Sequence, residues 1–254
     1  MRRLSVEVAD YPPGARPVTV LLFSDVHVHG PDMPPSRLAR IVKQIDALHP
    51  DVVIAAGDFM GDEALGASYP VGEALAPLRG LHAPLGVYAV LGNKDYKLGG
   101  DRVRRALGVA GVRVLANDAA RAGPLAIGGI DGAISIPKGE WRGRRARTYA
   151  ALDATPGAKL LVAHRPDEFR FAPAFVDLVL AGHTHCGQVV LPVLGPLETG
   201  SDFGREYLCG LIREHGRTLV VTAGVGTSRI PMRIGAPPDM WLISISGKRT
   251  ARPN

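Results

Sequence analysis

Five short apolar stretches, rich in Val, Ile, Leu and Ala, recur along the chain, and each is followed at once by polar residues. They read VTVLLF, DVVIAA, GVYAVL, KLLV and DLVLA in chain order. Apolar runs of this length, bounded by polar residues or glycine, are typical of parallel strands that are buried on both faces. We therefore predict strands over residues 17–24, 51–56, 86–91, 159–163 and 177–181.

Helical spacing of apolar residues follows the first of these strands. Leu38, Val42 and Ile45 define one such face, and Asp101 is expected to cap a later helix. The predicted helices cover residues 34–48, 71–81, 101–107 and 147–152, and two shorter strands cover 112–115 and 125–130. Beyond residue 187 the pattern predicts strands without helices between them, over residues 188–191, 206–211, 219–222 and 241–246.

The order of elements therefore begins as βαβαβ and ends mostly as β-strand. This order predicts an α/β fold in which two stacked, mixed β-sheets are flanked by helices. A length of 254 residues suits one large core, and the sequence contains no repeat or linker. We expect a single domain over residues 1–254, with residues 1–16 as an N-terminal arm.

Residues that can bind a metal ion follow each of the five apolar strands. They are Asp25, His27, Asp58, Asn93, His164, His183 and His185. Ligands of open α/β sheets bind beyond the carboxyl ends of the strands, so side chains at five such ends are expected to converge. A single Asp-x-His or Gly-Asp pair is common, whereas this ordered set, with every member after a buried strand, is a specific signal of one metal site.

The ligand types in this set favour two transition-metal ions. Asp25 and His27 lie two residues apart, so both can face one ion. Carboxylate and imidazole together suit Mn, Fe or Zn better than Mg or Ca. Asp58 follows Gly57, which allows close approach of the backbone, and its carboxylate can bridge two ions. We predict two divalent ions, with Mn²⁺ favoured and Fe or Zn as alternatives; such a pair can activate a hydroxide and hold phosphoryl oxygens.

The formal net charge is +6, and arginines are concentrated at residues 102–105 and 142–147. A basic protein attracts phosphates, anionic lipid surfaces or nucleic acid, but arginines of a solvated helical face, tied to local carboxylates, are the alternative. No aromatic–basic interleaving or known module supports nucleic-acid binding. Cys186 and Cys209 can pair, but two cysteines leave the redox compartment open.

The pattern contains no targeting or membrane-spanning segment, so we expect a soluble, cytoplasmic protein. Residues 230–234 and 237–241 nevertheless mix apolar and basic side chains. These two stretches are candidates for peripheral contact with a membrane or with a lipid substrate. Packing of the same stretches beneath a sheet is the alternative.

Five motifs in this order resemble the calcineurin-like metallophosphoesterase superfamily, and most closely its bacterial YkuE-like branch. They are LLFSDVHVHG, VVIAAGDFMGD, YAVLGNKDY, LLVAHRPD and LVLAGHTHCGQV, and the resemblance extends over residues 18–241. It implies a four-layer αββα sandwich and two metal sites that share Asp58. By this resemblance the first site has Asp25, His27, Asp58 and His185, and the second has Asp58, Asn93, His164 and His183.

One motif departs from the superfamily pattern. The superfamily reads GNH before Asp or Glu, and that His assists the leaving group, whereas this chain has Lys94. Lysine can attract phosphate oxygens by its charge, or donate a proton if burial beside cations lowers its pKa. We take Asp58, Asn93 and Lys94 as the candidate catalytic residues, with His29 as a substitute for the missing acid.

The resemblance implies hydrolysis of a phosphodiester or pyrophosphate bond. Members of the similar branch include phosphodiesterases and enzymes that cleave the pyrophosphate of UDP-diacylglucosamine, so a phosphoester small molecule or a lipid-linked nucleotide is the expected substrate. The alternative is a metal-binding regulator or scaffold that lost its chemistry with the motif His. An amidohydrolase is a weaker alternative, because its His-x-His pair lies on the first strand of a (β/α)8 barrel and here the pair comes late.

Overall fold

The computed structural model describes residues 1–61, 66–132 and 138–248, without the side chains of residues 138–141. Two six-stranded β-sheets pack face to face, and helices cover their outer faces. This arrangement confirms the predicted α/β fold with two stacked, mixed sheets. Within the described ranges, no helix is long and apolar enough to span a membrane.

Most predicted elements are present within two residues of their expected bounds. The strands are β1 (Arg2–Val8), β2 (Val18–Phe23), β3 (Val52–Ala55), β4 (Val87–Ala89), β5 (Arg113–Val114), β6 (Asp118–Ala122), β7 (Leu125–Ile130), β8 (Ala158–Ala163), β9 (Leu178–Ala181), β10 (Val190–Leu191), β11 (Gly195–Pro196), β12 (Gly210–Glu214), β13 (Arg217–Val221) and β14 (Trp241–Gly247). The helices are α1 (Pro35–Asp46), α2 (Val71–Leu75), α3 (Asn93–Lys97), α4 (Gly100–Val109) and α5 (Lys138–Ala154), and short 3-10 helices cover Ala76–Gly80, Pro166–Phe171 and His185–Gly187.

The strand order is β1-β14-β2-β3-β4-β5 in the first sheet and β12-β13-β9-β8-β7-β6 in the second. In the first sheet, β2 to β5 run parallel, and β14 is antiparallel to β2. In the second sheet, β7, β8, β9 and β13 run parallel, and the two outer strands are antiparallel to their neighbours. The parallel strands therefore end at a common edge in each sheet, where loops can carry a site.

The hydrophobic core has three layers. Side chains such as Val20 and Leu160 fill the space between the two sheets and are completely buried. Leu38 of α1 packs on the outer face of the first sheet, and Leu152 of α5 packs on the outer face of the second. Each such side chain contributes roughly 2 kcal/mol by burial, so the two sheets form a rigid support for the loops at their edges.

Three helices differ from their predicted form. Helix α5, Lys138–Ala154, is much longer than the helix expected over 147–152. The helix expected over 71–81 is α-helical only over Val71–Leu75 and continues as a 3-10 helix, because Pro77 lacks the amide donor that an α-helix needs. Asp101 is not the cap of α4. The helix begins at Gly100 after Gly99, whose φ of 107° lies in the left-handed region, and Asp101 lies in the first turn, where its charge suits the helix dipole.

The strand pattern also needs corrections. β6 and β11 were not predicted. The N-terminal arm begins with a strand that was not predicted, β1, which pairs in parallel with β14 at the sheet edge. The strand expected over 206–211 starts only at Gly210, because the preceding residues form turns. Cys209, in the last of these turns, is bonded to Cys186.

Three arginines of the two clusters contact carboxylates of the surrounding helices and loops. A guanidinium nitrogen of Arg104 and one of Arg144 each lie 3.6 Å from Oδ2 of Asp131. Arg145 forms a two-pronged ion pair with Glu168, at 2.7 and 2.9 Å. These contacts agree with the alternative interpretation of the arginine-rich stretches, in which the arginines pair with local carboxylates.

Candidate metal centre

The seven predicted ligands come together at the edge where the parallel strands of both sheets end. Asp25 follows β2, Asp58 follows β3, and Asn93 begins α3 after β4. From the second sheet, His164 directly follows β8, and two further histidines follow β9. All seven side chains are buried or half-buried, and the structure brings these candidate ligands together at one edge of the two sheets.

Asp25, His27 and His185 form a first group of metal-type donors, all buried. Nε2 of His27 and Nε2 of His185 are 3.0 Å apart. Oδ1 of Asp25 lies 3.8 Å from the former nitrogen and 3.5 Å from the latter. Three donor atoms at these separations surround a space that one ion can occupy.

Asp58, His164 and His183 form a second group, next to the amide of Asn93. Nε2 of His164 is 3.1 Å from Nδ1 of His183 and 3.1 Å from Oδ1 of Asn93. Nδ1 of His164 lies 2.7 Å from the carbonyl oxygen of Ala56, which fixes the ring and leaves Nε2 directed at the group. The second group thus offers a carboxylate, an amide and two imidazoles.

Asp58 lies between the two groups. Its Oδ2 is 3.4 Å from Nε2 of His164 in the second group and 3.7 Å from Nε2 of His27 in the first. Its Oδ1 accepts a hydrogen bond from the backbone amide of Lys94 at 2.8 Å. One carboxylate therefore reaches both groups of donors, which is the arrangement that a bridging ligand requires.

The donors fit divalent metal ions. Oδ1 of Asp25 is buried and makes no hydrogen bond with the described residues, so a carboxylate oxygen stands without a partner beside two imidazoles. An unsatisfied buried carboxylate is costly unless a cation compensates its charge. Mixed carboxylate, imidazole and amide donors are typical of first-row transition metals. Both groups therefore have the chemistry of metal sites.

The backbone at the site is held in an unusual conformation. Asp25, His27, Asp58, His183 and His185 have φ angles of 50°, 48°, 55°, 72° and 52°. The left-handed region is uncommon for residues other than glycine, and residues held there cluster at functional sites. The chain turns sharply after each strand in this way, and each turn directs its side chain into the site.

Two glycines allow the loops of the site to approach one another. Gly57 has a φ of 91°, and a Cβ atom there would lie 2.7 Å from Nδ1 of His164. A Cβ atom on Gly92 would collide with the carboxylate of Asp58. Larger residues at these two positions would push apart the loops that carry the donors, a role that the sequence predicted for Gly57 but not for Gly92.

The donors perturb one another electrostatically. Burial raises the pKa of Asp25 above its usual range, although His164 and His27 oppose the shift. Burial acts in the same direction on Asp58, but the two histidines outweigh it and hold the pKa of Asp58 below its usual range. Burial would lower the pKa of His164, but Asp58 raises it to about 9. Burial and His164 lower the pKa of His183 to about 3. Positive charge in the site is therefore favoured next to Asp58.

Two supporting residues were not identified from the sequence. The hydroxyl of Ser24 donates a hydrogen bond to Oδ2 of Asp25. Asp95 is completely buried and accepts hydrogen bonds at 2.9 Å from the amides of Phe59 and Gly92, so it joins the loops after β3 and β4. Burial and the charge of Asp58 raise the pKa of Asp95 to about 7. The position of Asp95 in the GNKD motif was the one sequence feature that could have identified it as a supporting residue.

Arg233 is a third supporting residue that the sequence pattern did not indicate. Its guanidinium donates hydrogen bonds to the carbonyl oxygens of Ala223 at 2.7 Å, Gly226 at 2.6 Å and His185 at 3.2 Å. Burial lowers the pKa of Arg233 to about 10. The arginine therefore ties the loop after β13 to the backbone of a metal-type histidine.

A cavity of about 530 Å³ opens beside both groups. Lys94 and Lys97 of α3 line it together with Asp58 and Asn93, so the residue that replaces the motif His faces the site. His29 does not fit the role of substitute acid. It is buried, its Nδ1 lies 2.6 Å from the carbonyl oxygen of the next residue, and it is not among the described residues that line the cavity.

Cys186 and Cys209 form a disulfide bond. Cys186 directly follows His185, and residues of the connected segment, including Gly187, Leu197 and Glu198, line the cavity. The bond therefore closes the stretch of chain that forms one wall of the cavity.

Comparison with known proteins agrees with this geometry. The model of the calcineurin-like phosphoesterase family matches residues 18–187. A metallophosphoesterase of Aquifex aeolicus is 32% identical over 98% of this chain and 92% of its own length. The transmembrane protein with metallophosphoesterase domain of Danio rerio is 30% identical over 93% of this chain and 55% of its own length. The metallophosphoesterase YkuE of Bacillus subtilis is 27% identical over 89% of this chain and 78% of its own length.

The family match covers most of the chain and includes every predicted ligand. The predicted resemblance is confirmed, with YkuE as one of several relatives. Clusters of carboxylate and imidazole donors at the strand ends supply the metal-binding chemistry that this family requires. The chain belongs to the calcineurin-like phosphoesterase family and is a metal-dependent phosphoesterase.

Proposed function

We propose that the chain hydrolyses a phosphodiester or pyrophosphate bond with a dinuclear metal centre that contains Mn²⁺. The observation that carries this proposal is the position of Asp58 between the two groups of donors, 3.4 Å from His164 and 3.7 Å from His27. When bound, two such ions would supply a nucleophile at neutral pH and positive charge for the phosphoryl oxygens. In this proposal Asp25, His27, Asp58 and His185 hold one ion, and Asp58, Asn93, His164 and His183 hold the other.

The residues of the chain would orient the substrate and stabilise its charge. Lys94 and Lys97 line the cavity beside Asn93, where two ammonium groups would attract the oxygens of a phosphate diester or of a second phosphate. A volume of about 530 Å³ accommodates groups on both sides of the phosphorus atom, as in ordinary ligand pockets. These features favour a diester or a pyrophosphate over a simple monoester.

The apolar part of the cavity favours a substrate with a lipid group. Leu197, Ile230 and Val189 line the same cavity as Lys94 and Lys97, so an amphipathic substrate would find both charged and apolar surface there. A lipid-linked nucleotide of the UDP-diacylglucosamine type has this distribution. We propose this class as the substrate and expect a soluble diester to be turned over as well.

Metal removal and replacement test the proposed chemistry. EDTA should abolish turnover of bis(p-nitrophenyl) phosphate, and Mn²⁺ should restore it better than Mg²⁺, because imidazoles make up much of the donor set. Full activity in excess EDTA, or equal rescue by Mg²⁺, would contradict the proposed centre. Metal binding without turnover of any diester would favour the alternative of a regulator that lost its activity with the motif His.

A further inference from the structure

Six of the ten exposed large hydrophobic side chains of the described residues lie in two segments, 189–197 and 230–234, and residues of both segments line the cavity. They form the apolar rim, which consists of Val193, Leu194, Leu197, Ile230, Met232 and Ile234. The segment from Val189 to Leu197 contains no charged residue, and β10 and β11 form a separate two-stranded hairpin whose turn residues Val193 and Leu194 are exposed. Exposed apolar patches of this kind mark interaction sites in proteins that are otherwise polar outside.

The two segments of the apolar rim are joined into one surface. The amide of Val190 donates to the carbonyl oxygen of Ile234 at 2.8 Å, and the amide of Ile234 donates to Gln188 at 2.9 Å. Leu197 and Ile230 also line the cavity, so the rim is continuous with its wall. A molecule that covers the rim therefore lies at the entrance of the candidate metal centre.

The tip of the hairpin is built to expose its side chains. Val193 is fully exposed and has a φ of 69°, a conformation that is a genuine outlier for a β-branched residue. Leu194 beside it is 69% exposed. Such strain persists where it serves a function, and here it directs an apolar side chain into solvent. An exposed apolar turn suits insertion into a lipid bilayer better than packing against the flat surface of a folded protein.

Basic side chains border the apolar rim. Arg205 is exposed and donates a hydrogen bond to the carbonyl oxygen of Leu194 at 3.0 Å, and Arg229 is exposed next to Ile230. Glu198, which adjoins Leu197, is ion-paired with Arg229 and offsets its charge, so Arg205 and the net charge of +6 supply the attraction for an anionic surface. Apolar side chains flanked by arginine are the composition of surfaces that bind anionic lipid interfaces.

We propose that the apolar rim docks on the surface of a bilayer that contains anionic phospholipid, with the hairpin tip inserted and the cavity open toward the membrane. This inference goes beyond the proposed function, since docking does not depend on hydrolysis. It also assigns a role to residues 230–234. The sequence left packing beneath a sheet as an alternative for them, and the three apolar residues among them are exposed instead.

Sedimentation with vesicles tests the docking surface without any substrate. The chain should bind vesicles of equimolar phosphatidylcholine and phosphatidylglycerol more tightly than vesicles of phosphatidylcholine alone. The double variant Val193→Asp, Leu194→Asp should bind the mixed vesicles at least about tenfold more weakly, because two exposed apolar side chains that would insert into the bilayer become charged. Val109→Asp is the matched control, since Val109 is 66% exposed at the end of α4, away from the rim, and its replacement should change binding less than about twofold.

Three results would overturn the proposal. One is the absence of binding to either vesicle, with both variants folded by circular dichroism. Another is an equal loss of binding in Val109→Asp and in the double variant. The third is a combination of two findings: the unmodified chain is a dimer in gel filtration and does not bind vesicles, and the double variant is a monomer. That combination would assign the apolar rim to self-association. A protein that does not hydrolyse the proposed substrates would give the same results in these binding measurements, so the two proposals are tested separately.

Discussion

Asp58→Asn should lower the turnover of a soluble phosphodiester by at least about a hundredfold, the upper range for perturbed metal shells. Oδ2 of Asp58 lies within 3.7 Å of an imidazole nitrogen in each donor group. Asparagine keeps the size of the side chain but removes the negative charge that would hold two cations close together. Steady-state kinetics with saturating Mn²⁺ measures the loss, and metal analysis of the dialysed protein shows whether an ion is lost with it.

His49→Ala is the control for this experiment. His49 is exposed and lies outside every motif, in the segment between α1 and β3. Its φ of 47° lies in the left-handed region, so alanine there can lower stability, but turnover of the folded protein should change little because His49 belongs to none of the loops that carry donors. An Asp58→Asn enzyme with near-normal turnover and two bound ions would refute the assignment of Asp58 as the bridging ligand.

Lys94→Ala should lower turnover by about 10²–10³-fold, as expected for loss of a preorganised group that stabilises the transition state. Lys94 lines the cavity, and its backbone amide holds Oδ1 of Asp58 at 2.8 Å. If the side chain contributes charge, Lys94→Arg should keep much of the activity. Lys97→Ala is the matched control, since Lys97 lines the same cavity one turn farther along α3. Lys97→Ala should lower turnover less than Lys94→Ala does.

The leaving group separates the two roles that Lys94 can have. A nitrophenolate leaves without a proton, whereas an alkoxide needs one. If Lys94 is the acid, Lys94→Ala should therefore lose more activity on alkyl esters than on nitrophenyl esters. If Lys94 supplies charge, the two losses should be similar. Lys94→His, which restores the usual superfamily residue, should be tolerated or should improve turnover of esters with poor leaving groups. A Lys94→Ala enzyme that matches the unmodified chain on both ester classes would show that another group does this work.

The convergence of the candidate donor residues can be predicted from the sequence because each follows a buried parallel strand. Asp25, Asp58 and His164 come after continuous apolar runs, and such runs are readable without a structure. Their convergence follows from the rule that parallel strands present their carboxyl ends at one edge. The prediction did not extend to the left-handed turns after the strands, because turn conformation depends on how the loops of both sheets fit together.

The supporting residues and the outer strands were harder to predict. Asp95 and Arg233 act through hydrogen bonds to backbone atoms of other loops, and no local pattern reveals such partners. β1 alternates buried and exposed residues as an edge strand does, so it lacks the continuous apolar run of the central strands. The hairpin of β10 and β11 has an apolar run but is exposed, which is the reverse of the usual relation between hydrophobicity and burial.

Anomalous diffraction from crystals grown with Mn²⁺ tests the central claim most directly. The dinuclear centre predicts two anomalous peaks roughly 3.5–4 Å apart, the usual separation in two-metal sites. One peak should lie among Asp25, His27 and His185, and the other among Asp58, His164 and His183, with Oδ atoms of Asp58 in contact with both. A single peak in crystals of active protein, or peaks away from Asp58, would contradict the proposed centre.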